Sequence, residues 1–170
     1  MAGATTAGQT TVRPATAHDA GLLLELFGAL ADYEQLRDEL HATEPQIVEA
    51  LFGERPAARA LIAERGSEPA GYALFFPTFS SFMATRGIWL EDLFVLPEQR
   101  GAGVGRALLA AVAACVPEAG GRLEWAALDW NELALGFYRG IGARPMDEWT
   151  SLRLDGEALA RLAAEVKNEC

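Results

Sequence analysis

Apolar residues recur at two different periods along the chain, and these periods predict alternating helices and strands. Between residues 22 and 30, leucine and phenylalanine return every three or four positions, which is typical of a helix with one buried face. The residues just before it, 16–19, match a capping box. A second helix is predicted to begin near Thr43, with Pro45 in its first turn, and to end at Gly53.

Short apolar runs that lie between turn residues predict the strands. These runs span residues 11–14, 60–64, 71–76, 88–95, 123–128 and 150–154, and the later predicted helices span 104–116, 132–141 and 157–166. Turn residues at 65–69 predict a hairpin between the second and third strands, and residues 77–86 are expected to form a loop. This order predicts a mixed α/β fold with a hairpin in its middle, and not a doubly wound sheet.

The composition indicates one folded domain. The chain has 170 residues, of which 51% are hydrophobic and 22% are charged, and this is enough to bury a core. Residues 1–10 lack any periodicity, so we predict a disordered tail followed by one domain over 11–170. The N-terminus does not resemble a secretory signal, and no apolar run approaches the roughly 20 residues that cross a membrane. We therefore expect a cytoplasmic protein without a membrane partner.

The charge and the scarcity of metal ligands argue against further classes. The formal net charge is −10, so a nucleic-acid partner is not expected, because phosphate neutralisation needs a basic face. The acidity either provides solubility or marks a site for a cationic substrate. Two cysteines and two histidines without a CxxC spacing predict neither a metal site nor a disulfide framework.

The most informative segment is a glycine-rich turn between a predicted strand and an apolar helix, at residues 93–106. Backbone N–H groups that converge at a helix N-terminus suit a pyrophosphate, and Arg100 and Arg106 flank the turn. Three interpretations are open. The glycines can serve tight packing alone, or they can form a dinucleotide site, although that site needs GxGxxG after the first strand of a βαβ unit. The third is an Arg-x-x-Gly-x-Gly signature over Arg100, Gly103 and Gly105.

That signature, together with the order of elements, resembles the GNAT N-acetyltransferases. Further segments resemble their diamine acetyltransferase subfamily over about residues 11 to 165, namely 13–16, 33–34, 52–54, 90–92, 100–105, 129–131 and 137–138. Residues 128–131 and 156–159 look closer to the thialysine N-ε-acetyltransferase branch than to the polyamine branch. The resemblance implies a GNAT fold with a mixed sheet of about six to seven strands flanked by helices. It also implies acetyl transfer from acetyl-CoA to a primary amine, without a metal, by a homodimer.

The resemblance assigns roles to particular residues. Tyr138 would donate a proton to the departing CoA thiolate, and Glu91 would bind the ammonium and help to remove its proton. Acceptor binding would involve Tyr33, Glu34, Glu91 and Trp125. The residues implied for cofactor binding are Leu93, Phe94, Val95, Arg100, Gly101, Ala102, Gly103, Val104, Gly105, Arg106, Asn131, Ala134 and Tyr138.

Structural alternatives stay open for several of these residues. Tyr138 can close a helix face by packing, Asn131 can cap the helix that follows it, and Trp125 can belong to the core or to a dimer contact. Glu91 and Asp92 are adjacent in a predicted strand, so their side chains are expected on opposite faces. Because a buried acid without a partner is costly, we expect an ion pair for Asp92.

The loop at residues 80–83 departs from the polyamine enzymes, which carry an acidic residue and a tryptophan there. This chain has Ser-Ser-Phe-Met, so a contact for the far ammonium of a long polyamine is lost. The expected acceptor is therefore a thialysine-like or lysine-like amino acid, or a small diamine. The alternatives are a protein or peptide N-acetyltransferase and a non-catalytic module that binds acyl-CoA.

Overall fold

A computed structural model describes residues 9–117 and 120–166. These residues belong to two compact units, a larger one that ends at Ala126 and a smaller one that begins at Ala127. Each unit is described separately. Residues 1–8 of the predicted tail lie outside the described part, and the first strand already includes Thr10.

The larger unit contains a five-stranded sheet in the order β1-β2-β3-β4-β5. The first four strands pair antiparallel, and β5 pairs with β4 in parallel. The strands are β1 Thr10–Pro14, β2 Arg59–Arg65, β3 Glu68–Ser80, β4 Thr85–Val95 and β5 Leu123–Trp125. The α-helices are α1 Ala20–Tyr33, α2 Glu44–Phe52 and α3 Val104–Ala113, and single 3-10 turns lie at Ala17–Asp19, Arg37–Glu39 and Pro97–Gln99.

The core of the larger unit lies where α1 and α2 cover the sheet. Leu23 of α1, Ile62 of β2 and Tyr72 of β3 have no exposed surface and belong to one apolar cluster. Helix α3 packs on β3 and β4 and buries Leu108 and Val112 completely. Burial of several large apolar side chains at about 1.5–3 kcal/mol each supplies most of the gross free energy that opposes chain entropy. The sheet therefore gives the residues at the ends of β4 and α1 a rigid support.

The two predicted helix starts are confirmed by capping boxes at Thr16 and Thr43. Near the first, the Arg13 guanidinium donates to Asp19 at 2.8 Å and to Glu64 at 2.9 Å. The hydrogen bonds from Arg13 hold the pKa of Asp19 well below its usual range, against a weaker opposing effect of burial. This cluster joins β1, β2 and the start of α1.

The predicted fold class and central hairpin are confirmed, but the strand count and several bounds differ. The described sheet has five strands instead of six to seven. Residues 150–154 form neither helix nor strand, and Leu152 is 91% exposed. A strand needs a partner edge, and the described part of the smaller unit contains only helices, α4 Glu132–Gly140 and α5 Gly156–Ala164.

The predicted loop at 77–86 is mostly strand. Strand β3 continues through Pro77, which pairs with Ile88, and ends at Ser80, so that only a short turn separates it from β4. Ala84 in this turn has a positive φ of 48°. Pro77 was expected to begin the loop, whereas the pairing of two long strands accommodates it within β3. The predicted strand at 123–128 is shorter than expected, because its pairing with β4 ends at Trp125.

Candidate active site

The middle of β4 carries two adjacent acids at an irregularity of the sheet. Leu74 of β3 pairs with Asp92, and the next β3 residue, Phe75, pairs with Leu90, so Glu91 is the extra residue of a β-bulge. Glu91 is exposed, and its Oε2 accepts a hydrogen bond of 2.9 Å from Trp89 Nε1. A bulge of this kind bends the strand and redirects side chains, so it separates the surroundings of the two acids.

Asp92 lies on the side of the sheet that α1 covers and is half-buried. Its Oδ2 accepts a hydrogen bond of 3.0 Å from Tyr72 Oη. The pKa of Asp92 rises to about 6, chiefly because of burial; the hydrogen bond from Tyr72 opposes the rise, and the charges of Glu91 and Glu34 add to it. Within the described residues this phenol takes the place of the expected ion pair.

Glu34 lies directly after α1 and adds a further carboxylate to this region. It is half-buried, and burial raises its pKa above the usual value. Its charge also contributes to the raised pKa values of Asp92 and of Tyr72. Two carboxylates that are costly to ionise near each other favour a bound cation, because a cation offsets both desolvation and mutual repulsion.

Arg100 and Tyr33 connect the glycine-rich turn with the end of α1. The guanidinium carbon of Arg100 lies 4.6 Å from the centre of the Tyr33 ring and 5.9 Å from that of Phe94. Its Nε donates to the Val95 carbonyl oxygen at 3.0 Å. Arg100 was expected beside phosphate, and in the structure its side chain is held by β4 and by an aromatic face.

The glycine-rich turn has the geometry of an anion cradle. Gly101 and Gly103 have φ values of 75° and 83°, which favour glycine, and Gly103 is the N-cap of α3. An added Cβ at either position would have no atom within 4 Å, so the space above the turn is open. The first N–H groups of α3 have no partner within the helix and form the positive end of its dipole. These residues fit a pyrophosphate such as that of CoA.

One side of β4 pairs with β3, and its other side is only partly paired with β5. β5 pairs with β4 only from Ile88 to Leu90, with Trp125 as the last partner. In the described larger unit, Leu93, Phe94 and Val95 therefore pair with β3 but not with β5. Backbone groups at such an edge are able to bind an extended partner, and the predicted contact of these three residues with a pantetheine arm stays a prediction.

The smaller unit contains the remaining predicted residues. Asn131 Oδ1 accepts a hydrogen bond of 3.2 Å from the backbone N–H of Ala134, so Asn131 caps α4. Tyr138 is half-buried, and its ring centre lies 5.3 Å from that of Phe137. The capping and packing alternatives left open for these two residues therefore both have a structural basis, and neither excludes a role toward a cofactor.

The larger unit brings together Tyr33, Glu34, Arg100 and the segment from Glu91 to Val95, around the ends of α1 and β4. Ala102, Val104, Gly105 and Arg106 belong to the turn and to the first turn of α3. Sequence reasoning missed the pairing of Asp92 with Tyr72. The predicted hairpin gave no signal for this contact, because it joins β2 and β3, whereas Tyr72 and Asp92 lie on β3 and β4.

Two kinds of feature are absent from the described residues. No group of three or more histidine, cysteine, aspartate or glutamate side chains there could hold a metal ion. No helix in the same residues is long and apolar enough to span a membrane.

A strand that leads through a glycine cradle into a helix, beside a bulged and acidic strand segment, is typical of acyl-CoA-dependent transferases. The model of the acetyltransferase (GNAT) family matches residues 25–143, and the chain belongs to this family of N-acetyltransferases. It is 36% identical to the thialysine N-epsilon-acetyltransferase of Sus scrofa, over 91% of this chain and 97% of that protein.

Two further comparisons extend this result. The L-ornithine N5-acetyltransferase NATA1 of Arabidopsis thaliana is 30% identical, over 87% of this chain and 85% of its own length. The solved structure of an integron cassette protein from the mobile metagenome of V. cholerae superimposes with a TM-score of 0.75 and 25% identity, covering 91% of this chain and 97% of that one. The GNAT fold is therefore shown by sequence and by structure.

Proposed function

We propose that the protein transfers the acetyl group of acetyl-CoA to the primary amine of a small molecule. The observation that carries this proposal is the construction of β4, which has an acidic bulge in its middle and an open glycine cradle after its end. A cation site and a pyrophosphate site thus share one strand. The thialysine and ornithine acetyltransferases named above support the same class of acceptor.

Acetyl-CoA would be held mainly by the backbone. The N–H groups at Gly101, Gly103 and the start of α3 would bind the pyrophosphate, and Arg106 is exposed beside them. The edge of β4 from Leu93 to Val95 would bind the pantetheine arm, and one of its N–H groups would polarise the thioester carbonyl. Asn131 and Ala134 are proposed to contribute from the smaller unit. Bound acetyl-CoA supplies the activated acetyl group.

Side chains would remove a proton from the acceptor ammonium and donate a proton to the departing sulfur. The acceptor arrives as an ammonium with a pKa near 10 and must lose a proton before its nitrogen can attack. Asp92 and Glu34 would hold the ammonium, and Glu91 would take the proton through water. The amine nitrogen then bonds to the thioester carbon, the C–S bond breaks, and Tyr138 Oη donates a proton to the departing sulfur. The nitrogen loses its second proton as the amide forms, and this proton restores Tyr138 through water. No covalent acetyl-enzyme is needed in this sequence.

The acceptor is proposed to be a lysine-like amino acid such as thialysine, or a small diamine. Residues 80–83 lack the acidic residue expected of a polyamine enzyme, so spermidine and spermine are disfavoured. Tyr33 and Trp125 are proposed to line the acceptor path, and both are half-buried.

We also propose that the protein is a cytoplasmic homodimer. The resemblance to the diamine acetyltransferases implies the dimer, and exposed apolar side chains in the smaller unit support it. Trp149 is 74% exposed, Leu152 91% and Leu162 53%. Large exposed apolar side chains are often covered by an interface. Light scattering coupled to size-exclusion chromatography should give twice the mass of 18.2 kDa; a monomer at micromolar concentration would contradict the proposal.

The test is release of free thiol from acetyl-CoA with thialysine, lysine, putrescine, spermine and a short peptide. Turnover with a small amine or amino acid supports the proposal, provided that Glu91→Gln lowers this turnover. Glu98→Gln is the control, because Glu98 is an exposed acid in the turn after β4. Turnover with the peptide alone would indicate a protein N-acetyltransferase. Tight acetyl-CoA binding without turnover on any acceptor would indicate a non-catalytic module.

A further inference from the structure

An open groove lies in the larger unit between α1, α2 and β3. Its volume is about 440 Å³, and its lining is mostly apolar: Phe27, His41, Ala42, Gln46, Ile47, Ala50, Leu51 and Leu74. A space of this size suits a small molecule. Phe27 and Leu74 come from α1 and β3, and Ile47, Ala50 and Leu51 form one face of α2.

The groove adjoins the acidic region of β4. Leu74 pairs directly with Asp92 across the two strands, so their side chains are neighbours on the face that α1 covers. Phe27 packs on Tyr72 with 5.1 Å between the ring centres, and the hydroxyl of Tyr72 binds Asp92. The apolar lining therefore leads to a carboxylate that is already held in place, with Glu34 close enough to affect its pKa.

The polar residues of the lining are donors, not acids. Gln46 Oε1 accepts from the N–H of Thr43 at 3.0 Å and from its Oγ1 at 2.9 Å, as part of the capping box. Its amide nitrogen is thus the group left to donate. His41 is exposed and is the only titratable side chain among the described lining residues. Carboxylates lie beside the groove at Asp92, and donors lie along its lining.

We propose that this groove binds the body of the acceptor, with the reactive ammonium at Asp92 and Glu34 and a carboxylate or uncharged end at His41 and Gln46. This inference rests on the proposed acetylation of a small amine and deepens it. The far ammonium of a diamine would meet an apolar lining with donors and no carboxylate, so its desolvation would not be offset. Lysine also has a second ammonium, but a carboxylate on the same carbon accompanies it, and the donors of the groove can bind that carboxylate. The groove thus selects an amino acid with an ω-amine over a diamine of the same length.

Three acceptors of matched length test the groove. Lysine, cadaverine and pentylamine share the same amine and carbon chain, but their far ends carry an ammonium with a carboxylate, an ammonium alone, and a methyl group. We expect kcat/KM for lysine and for pentylamine to exceed that for cadaverine. Equal values, or a preference for cadaverine, would overturn the proposal, whereas absence of turnover with all amines would contradict the proposed acetylation itself.

The matched variant is Gln46→Glu, which keeps an oxygen for the capping box and places a carboxylate in the groove. We expect it to raise the ratio of cadaverine to lysine kcat/KM by about three- to fivefold, the size of a partly exposed ion pair. Glu49→Gln is the control, because it changes the charge of an exposed α2 residue outside the groove lining. An unchanged ratio of cadaverine to lysine kcat/KM in Gln46→Glu would overturn the role of Gln46. A separate variant, His41→Ala, should lower lysine turnover without lowering that of pentylamine.

A binding measurement separates the two proposals. Methyl NMR signals of Ile47, Leu51 and Leu74 should shift when lysine or pentylamine is added without acetyl-CoA. Shifts without turnover would keep the groove as an amine site and reject acetylation. Turnover without shifts would keep acetylation and reject the groove, and the absence of both would reject the two together.

Discussion

The middle of β4 and the turn that follows it use different kinds of chemical group. At the turn, the useful groups are backbone N–H groups, freed by Gly101 and Gly103 with positive φ and set at the start of α3. In the middle of β4 the useful groups are side chains, and their properties depend on neighbours that are distant in sequence, Tyr72 and Glu34. A backbone site can therefore be recognised from local sequence, whereas a side-chain site of this kind needs the fold.

The largest expected effect is at the backbone site. Gly103→Val places a side chain at a positive φ and in the cradle, so acetyl-CoA affinity should fall by at least about 100-fold, because several N–H contacts to a phosphate are lost together. Calorimetric titration with acetyl-CoA measures this loss. Gly156→Val is the control, since Gly156 also has a positive φ, 51°, with no atom within 4 Å of an added Cβ. Equal losses in both variants would show that backbone strain alone is responsible.

The next effect is at the proposed proton donor. Tyr138→Phe removes one hydroxyl and keeps the ring that packs near Phe137, so kcat should fall about 100-fold while acetyl-CoA affinity stays nearly constant. Steady-state rates and a titration with acetyl-CoA separate the two. Loss of cofactor affinity with an intact fold would instead assign Tyr138 to the cofactor pocket.

An intermediate effect concerns the acid at the side-chain site. Asp92 must be ionised to hold an ammonium, and its pKa is about 6, so kcat/KM for the acceptor should fall as the pH drops through 6. Asp92→Asn should raise the acceptor KM about tenfold and remove this limb of the pH profile. Glu91→Gln is the comparison variant. If the fall in kcat/KM near pH 6 persists in Asp92→Asn, another group is responsible for that fall.

The same pKa has a consequence for stability. Because the folded-state pKa of Asp92 lies above the ordinary 3.8, the folded protein retains a proton that the unfolded chain has already lost between about pH 4 and 6. The contribution of Asp92 to stability therefore falls as the pH rises through this interval and stays low above it. Urea unfolding should show Asp92→Asn gaining stability relative to the natural chain between pH 5 and pH 8. A constant difference between the two proteins would contradict the raised pKa.

The smallest effect tests the link between the two sites. Tyr33→Leu removes the ring beneath Arg100, so acetyl-CoA affinity should fall about threefold through a less ordered Arg100. Tyr33→Phe keeps an aromatic face and should retain the affinity. A change in the acceptor KM alone would show that Tyr33 acts only on the acceptor side.

The difference between the sites explains how far sequence reasoning reached. The helix starts at Thr16 and Thr43 and the turn at Gly103 were recognised because each is a local pattern with a local physical cause. The continuation of β3 through Pro77 was missed, since pairing with β4 outweighs the local signal. The strand expected at 150–154 did not form, because a short apolar run by itself supplies no partner edge.

The sequence by itself determined the class of fold, the order of the elements as far as α4, and the cradle after β4. These follow from periodicity, capping residues and glycine, which act over a few neighbouring positions. Tertiary structure decided which acid is exposed and which is buried, because the bulge at Glu91 is a property of the pairing of two strands. It also decided the partner of Asp92 and the groove beside it, since these join α1, α2, β3 and β4 across the larger unit. Electrostatics and desolvation act through space, so their outcome appears only when the fold brings those elements together.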